Sequence, residues 1–351
     1  MDKPKVSVII PVYNRRVLLP RAIQSVAMQS WRPLEILIVD NGSTDGTYEE
    51  ALTMAEELNR NSAGLTVKVL RCEESGAARA RNKGFSNATG DIILFFDSDD
   101  VMLEGAIESY ARMFLNHPEI DMVMASFYWL HKDAKRKKRK LRHRGNLQLN
   151  HFHHCSFSTQ SFASTRAFLS EVEKRHGELW PSHLGVWDDW ALGFRLIMMQ
   201  PKVKFLSDCV AEVYPQQNSI TGEAYCQTAP ERYLAAIADV ANTIEYHKSR
   251  KPRLSKKEYA RWRNLLLYRR TLLAALLQRE SRKLPDHIIA NSAYFDRKDL
   301  ADESRRLFAS VLREAPNKAS RTILKACHKY ISAGFRGCAT FATPLLTFAS
   351  K

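Results

Sequence analysis

Short apolar runs, each closed by a polar or glycine-rich turn, recur through the first hundred residues of this 351-residue chain. Residues 5–11 are rich in β-branched side chains and stop at Pro11, the pattern of a first strand. Apolar residues then recur at helical spacing over 18–29. A second strand is predicted over 34–39, and Asp40-Asn41-Gly42-Ser43-Thr44-Asp45-Gly46-Thr47 reads as a turn leading into a helix over 48–58. Residues 66–70 predict a third strand, and the small residues of 76–84 open a helix that can pack closely. The run 92–96, five apolar residues between Gly90-Asp91 and a burst of acid, predicts a strand buried on both faces. A helix over 104–116 and a strand over 122–129 follow. Strand–helix alternation with short connections predicts an α/β fold, a mostly parallel sheet flanked by helices.

Charge divides this picture. The net charge is +15, of which residues 1–225 carry +1 and residues 226–351 carry +14. Nine basic residues against Asp133 give 132–144 alone +8, a run expected to be a solvated, mobile loop. The chain is therefore expected to hold a catalytic domain over 1–225 and a basic helical region over 226–351. Ser255-Lys256-Lys257-Glu258 is a capping-box signature, expected to start a long helix to 283. The tail 319–351 mixes basic and apolar residues, which suits an anionic membrane surface, packing on the domain or a homo-oligomer contact. With 45% hydrophobic and 26% charged residues, and no uncharged apolar run of about 18, the composition is that of a soluble globular protein. Six cysteines without a Cys-x-x-Cys pair argue against a zinc site and for a reducing compartment. A charged start without a signal-peptide pattern points the same way. The expected location is the cytoplasm, with peripheral binding to the inner face of the cell membrane.

The candidate chemistry begins where the strand over 92–96 ends. Asp97, Asp99 and Asp100 lie together there, and ligands of open α/β sheets bind beyond the carboxyl ends of the strands. Such carboxylates repel one another unless a cation compensates them. Mg²⁺, which takes one or two carboxylates plus substrate phosphate oxygens, is a natural partner. The same residues also suit an acidic turn capping a helix.

Four segments together resemble the family 2 glycosyltransferases of the GT-A fold: Val6-Ser7-Val8-Ile9-Ile10-Pro11-Val12-Tyr13-Asn14, Ile38-Val39-Asp40-Asn41-Gly42-Ser43-Thr44-Asp45-Gly46-Thr47, Ala80-Arg81-Asn82-Lys83-Gly84 and Phe96-Asp97-Ser98-Asp99-Asp100. The resemblance implies a nucleotide-diphosphate-sugar donor, a divalent metal (Mn²⁺ or Mg²⁺) and inversion at the anomeric carbon. On it, the donor site comprises Pro11, Val12, Tyr13, Asp40, Asn41, Arg79, Arg81, Asn82, Asp97 and Ser98. Pro11-Val12-Tyr13 can receive the base, although Tyr13 also fits a core aromatic. Asp40 can accept from N3–H of a uracil or cap a helix, and Asn41 departs from the second Asp common in the family. Arg79 and Arg81 can face diphosphate oxygens or solvent. Asp97 is placed near the ribose and Asp99 on the metal, with Asp100 a second ligand or an N-cap.

A second acidic constellation lies at Gly185-Val186-Trp187-Asp188-Asp189-Trp190. The resemblance makes Asp189 the general base, with Asp188 where the family usually has Glu. Flanking indoles would raise a carboxylate pKa by burial, and Trp187 and Trp190 could form an acceptor wall. Gln160 lies in a segment loosely resembling the family's acceptor side, which also fits a plain strand. No His stands in 213–221, where the family often carries one. The expected acceptor is a hydroxyl of a cell-surface polysaccharide, lipopolysaccharide or lipid-linked glycan. A sugar nucleotidyltransferase would carry a Gly-rich loop where Pro11-Val12-Tyr13-Asn14 stands. A nucleic-acid-binding protein would explain the charge but not the carboxylate clusters. A transferase-like fold without activity is the third rival.

Overall fold

The computed structural model describes residues 3–130, 136–139, 151, 157–214, 230–250, 254–256, 258, 259, 262 and 266. The chain falls into two compact units, one of Met1–His143, Ser156–Leu192 and Met199–Gln217, the other of Arg144–Cys155, Gly193–Met198 and Asn218–Lys351.

β1 (Val6–Val12), α1 (Leu19–Ala27), β2 (Leu34–Asp40), α2 (Thr47–Asn61), β3 (Leu65–Arg71), α3 (Ala77–Asn87) and β4 (Ile92–Phe95) alternate as the apolar pattern requires. They are followed by β5 (Val101–Met102), α4 (Ala106–Asn116), β6 (Met122–Leu130), β7 (Arg136–Arg139), a 3₁₀ turn (Thr159–Ser161), β8 (Phe162–Thr165), α5 (Arg166–His176), α6 (Asp188–Met198) and β9 (Val203–Val213). The sheet order is β3-β2-β1-β4-β8-β6-β9-β5, with β7 added to β6.

Pairing is parallel through β3, β2, β1 and β4 and again between β6 and β9. β8 is antiparallel to both β4 and β6, so β6 and β9 run in the same direction as β4. The carboxyl ends of β1, β2, β4, β6 and β9 therefore share one edge of the sheet. Strand order reverses between β1 and β4, the switch point where such sheets bind ligands.

Every residue of β1 and β2 is buried, as strands covered by helices on both faces must be. Helix α3 lies close on them: a Cβ at Gly84 would sit 2.3 Å from Ile9 Cγ2. That approach fixes the helix from which Arg81 projects. One charge is built into this core. Glu35 is fully buried in β2 and accepts from Ser7 Oγ (2.6 Å), the Thr89 backbone (2.8 Å) and hydroxyl (3.0 Å), and Lys68 Nζ (2.9 Å).

Two expectations change. Pro11 does not stop β1, which pairs with β2 as far as Val12↔Asp40. β4 pairs only as far as Ile9↔Phe95, so the proline's missing N–H falls on the side that β4 has already left. Within the basic run, Arg136–Arg139 is not a loop but a strand antiparallel to β6. Arg136 pairs with the buried Glu212, and Lys138 Nζ donates to Ser207 O at 3.0 Å, so tertiary partners hold a segment with little strand propensity. The rest of the run lies outside the described residues.

In the second unit, α7 (Pro230–Ser249) buries Ala236, Ile237, Val240 and Ile244. Arg195 Nη2 donates to Asp239 at 3.0 Å, both side chains buried, and the Phe194 and Trp262 rings meet edge-on at 5.5 Å. The capping box is formed: Ser255 Oγ accepts from Glu258 N (3.2 Å) and Glu258 Oε2 from Ser255 N (2.9 Å). Most of the expected helix to 283, and all of the tail 319–351, lie outside the described residues. No helix among the described residues is long and apolar enough to cross a membrane.

Candidate active site

Beyond the β1–β4 switch point the acid turn is held in detail. Phe96 N donates to Ile9 O at 2.9 Å, carrying the sheet up to Asp97. Asp97 accepts from Arg81 Nη2 (3.0 Å) and from Thr159 Oγ1 (2.6 Å). Asp100 is buried and accepts from Tyr214 N at 3.1 Å, while Asp99 keeps a partly exposed carboxylate 3.9 Å from Arg15 Nε. Ser98 is buried between them. Burial and then the charge of Asp97 push the Asp99 carboxyl up to about 6. Burial, Asp97 and Asp99 drive Asp100 well above the ordinary carboxylate range.

The turn thus gathers negative charge that its own neighbours do not fully compensate. Hard oxygen donors of this kind fit Mg²⁺ or Mn²⁺. Among the described residues no three His, Cys, Asp or Glu side chains form a cage for a metal. An ion there would complete its shell with substrate oxygens and water, as Mg²⁺ characteristically does.

At the carboxyl ends of β1 and β2, Pro11 and Val12 are buried, whereas Tyr13 is 56% exposed and its ring is not part of the core. One oxygen of the buried Asp40, Oδ2, accepts from the backbone of Gly42 (3.3 Å) and Ser43 (3.2 Å), a turn-capping role. Its Oδ1 is buried with no donor among the described residues, an acceptor still open to one. Asn41 is fully engaged: Nδ2 donates to Glu74 O at 2.7 Å and Oδ1 accepts from Gly76 N at 2.6 Å. Only an amide can do both, which accounts for Asn where an Asp would resemble the family more closely.

Arg81 joins the two acidic constellations. Its Nη1 donates to Asp188 at 2.9 Å while Nη2 holds Asp97, and its guanidinium lies 4.5 Å from the centroid of the buried Trp180 ring. Burial alone would lower its pKa, but Asp188 and Asp97 raise it above its ordinary value. Asn82 fixes the same wall by exchanging hydrogen bonds with the Trp180 backbone, donating and accepting at 2.8 Å. Arg79 instead pairs with Glu74.

Asp189 stands beside Asp188 in the first turn of α6, with Oδ1 accepting from Trp190 N at 2.7 Å. Trp187, just before the helix, has φ +58°, a left-handed conformation that a bulky side chain adopts only at a cost. The indoles of Trp187 and Trp190 pack at 5.5 Å and are both buried, Trp190 completely, so they support the helix start from beneath. Gln160 is buried beside Thr159.

Sequence reading did not single out Thr159, Trp180, Arg21 or Tyr214. Each touches the acid turn or Arg81 from a distant segment, and no local pattern marks such a partner. Residues 215–221 of the segment where the family often carries a His lie outside the described residues.

Residues 7–172 match the family model "Glycosyl transferase family 2". Glycosyltransferase GlyG of Streptococcus pneumoniae is 34% identical over 124 residues, 35% of this chain and 39% of that protein. A GalNAc(5)-diNAcBac-PP-undecaprenol beta-1,3-glucosyltransferase of Campylobacter jejuni is 33% identical over 121 residues, 32% of this chain and 38% of that one. The matched stretch thus spans under two fifths of either relative. In fold, the chain is similar to Staphylococcus aureus TarS 1-349 in complex with UDP-GlcNAc, with TM-score 0.65 and 18% identity over 95% of this chain and 91% of that one. The four co-linear motifs, the switch-point acid turn and the family match agree: through residues 7–172 the chain is similar to glycosyl transferase family 2.

Proposed function

We propose that the protein is an inverting glycosyltransferase that moves a sugar from a nucleotide-diphosphate donor, preferentially a UDP-sugar, to a hydroxyl of a cell-surface polysaccharide, lipopolysaccharide or lipid-linked acceptor. The observation that carries this reading is the Arg81 bridge. It ties Asp97 of the acid turn to Asp188 of the α6 start, which supports reading the two acidic groups as the donor and base sides of one site. The donor bound to the TarS structure and the lipid-linked substrate in the Campylobacter enzyme's name support the donor and acceptor classes.

In this reading Tyr13 offers its exposed ring to the base, and Asp40 Oδ1 takes an N–H from it. Asp99 and Asp100 would hold a divalent ion, which supplies positive charge to the departing nucleotide diphosphate. Asp189 removes the proton of the acceptor hydroxyl as that oxygen attacks the anomeric carbon from the face away from the diphosphate, which inverts it. Asp188, neutralised by Arg81, orients its neighbour. The basic region over 226–351 would meet an anionic membrane or a second copy, consistent with a peripheral protein on the cytoplasmic face.

A panel of nucleotide sugars, assayed for nucleotide release with Mn²⁺ or Mg²⁺ and candidate acceptors, tests the reading. Metal-dependent release from a UDP-sugar, raised by an acceptor, is expected. Absence of binding and release for every donor would overturn it.

A further inference from the structure

The acid turn is gripped from a second direction, by residues to which the proposed mechanism gives no part. Arg21, on α1, donates from Nη2 to the backbone carbonyl of Asp99 at 2.8 Å. Its guanidinium also lies 3.9 Å from the ring centroid of Tyr214, the residue after β9, close enough for stacking. Tyr214 in turn donates its backbone N–H to Asp100 Oδ1 at 3.1 Å and its hydroxyl to Glu212 Oε2 at 3.0 Å. Glu212 is buried and paired to Arg136 of β7. A continuous polar path therefore runs from the basic edge strand through Glu212 and Tyr214 to the acid turn, and Arg21 closes it from α1.

We propose that Arg21 and Tyr214 are positioning residues, a stacked pair that clamps the acid turn and sets the directions in which Asp99 and Asp100 present oxygen to a divalent ion. The inference rests on the reading of that turn as the metal and diphosphate site. Its physical basis is the turn's own repulsion. Three neighbouring carboxylates tend to splay unless the backbone is held, and here one donor holds the Asp99 carbonyl while another holds the Asp100 side chain. Outer partners of this type orient ligands without touching the metal, and their loss costs about 10- to 100-fold in metal affinity.

The test is Mn²⁺ titration of the full chain in the presence of UDP, followed by calorimetry or by the electron paramagnetic resonance signal of free Mn²⁺. Arg21→Ala and Tyr214→Ala are each expected to weaken Mn²⁺ binding by about tenfold. The double variant should be little worse than either single one, because the two act as a unit. Tyr214→Phe keeps the ring and the backbone N–H and should retain affinity within about twofold, a rescue that nonspecific damage to β9 would not allow. Asp99→Ala is the control. If it loses Mn²⁺ while Arg21→Ala and Tyr214→Ala bind normally, the clamp is wrong and the metal site stands. If Asp99→Ala binds Mn²⁺ as the parent does, the metal site and the clamp fall together. Should Tyr214→Ala not fold, Arg21→Ala, at an exposed position, decides alone: normal Mn²⁺ affinity in it overturns the proposal.

Discussion

Glu35 and the pair Asp99-Asp100 are acids at opposite edges of the same sheet, the first within a strand and the others in the turn that follows one, and the protein treats them in opposite ways. Glu35 sits at the amino end of β2. Burial alone would raise its pKa, but Ser7, the Thr89 backbone, Lys68 and the Thr89 hydroxyl bring it down to about 2. Asp99 and Asp100 follow the carboxyl end of β4, where burial and then the charge of Asp97 push both up. A carboxylate used to build the fold is surrounded by donors until its charge is the stable form. Carboxylates left short of compensation store a demand for positive charge, and a substrate complex can meet it. On the proposed function, the sheet separates support from chemistry by edge.

The largest effect expected from breaking this division is on turnover. Asp189→Asn should lower the rate by about 10²- to 10⁴-fold with donor affinity nearly unchanged. Asp188→Asn should cost less in rate, since its carboxylate faces Arg81. Initial rates and donor titrations on both variants check the order, and near-normal turnover in Asp189→Asn would remove it as the base.

At the other edge, Glu35→Gln should leave donor binding intact and destabilise the fold at neutral pH, by on the order of 2 kcal/mol after allowance for solvent screening. Because the folded pKa is depressed, this contribution is fully present above about 4.5 and is lost as pH falls toward about 2. Denaturant unfolding of both proteins across that window should show the two curves converging as the pH falls.

Asp99→Asn should have the reverse sign. A raised pKa penalises folding once the carboxyl ionises, so the variant should be more stable than the parent without divalent ions. The gain, about 1 kcal/mol after discounting partial exposure, should grow as pH rises from about 4 to about 6. Thermal melts with a chelator present measure it, and a gain equal at pH 4 and pH 8 would contradict the electrostatic cause. An effect of similar size but opposite sign is expected at Asn41. Asn41→Asp loses the donor to Glu74 O and should cost about 1 kcal/mol while sparing the acid turn, which melting and Mn²⁺ titration together resolve.

The elements β1 to β4 and α1 to α3 were legible because their signals are local. Apolar runs such as 92–96 require burial on both faces, and the tract Asp40 to Thr47 can hardly be anything but a turn and a helix start. The acid turn and the Asp188-Asp189 start could be located for the same reason. Position along the chain did not reveal what each carboxylate faces. β7 exists because β6 and Glu212 await it, and its Arg-Lys-Lys-Arg sequence gives no hint of a strand. Val203–Val213 alternates too irregularly to announce β9. Arg81 lies 107 residues from Asp188, and Arg21 lies 78 residues from Asp99. Burial pattern and turn chemistry follow from nearest neighbours and were determined by the sequence alone. The pairing of charges across such separations depends on how the sheet folds the chain back on itself, and only the tertiary structure decided it.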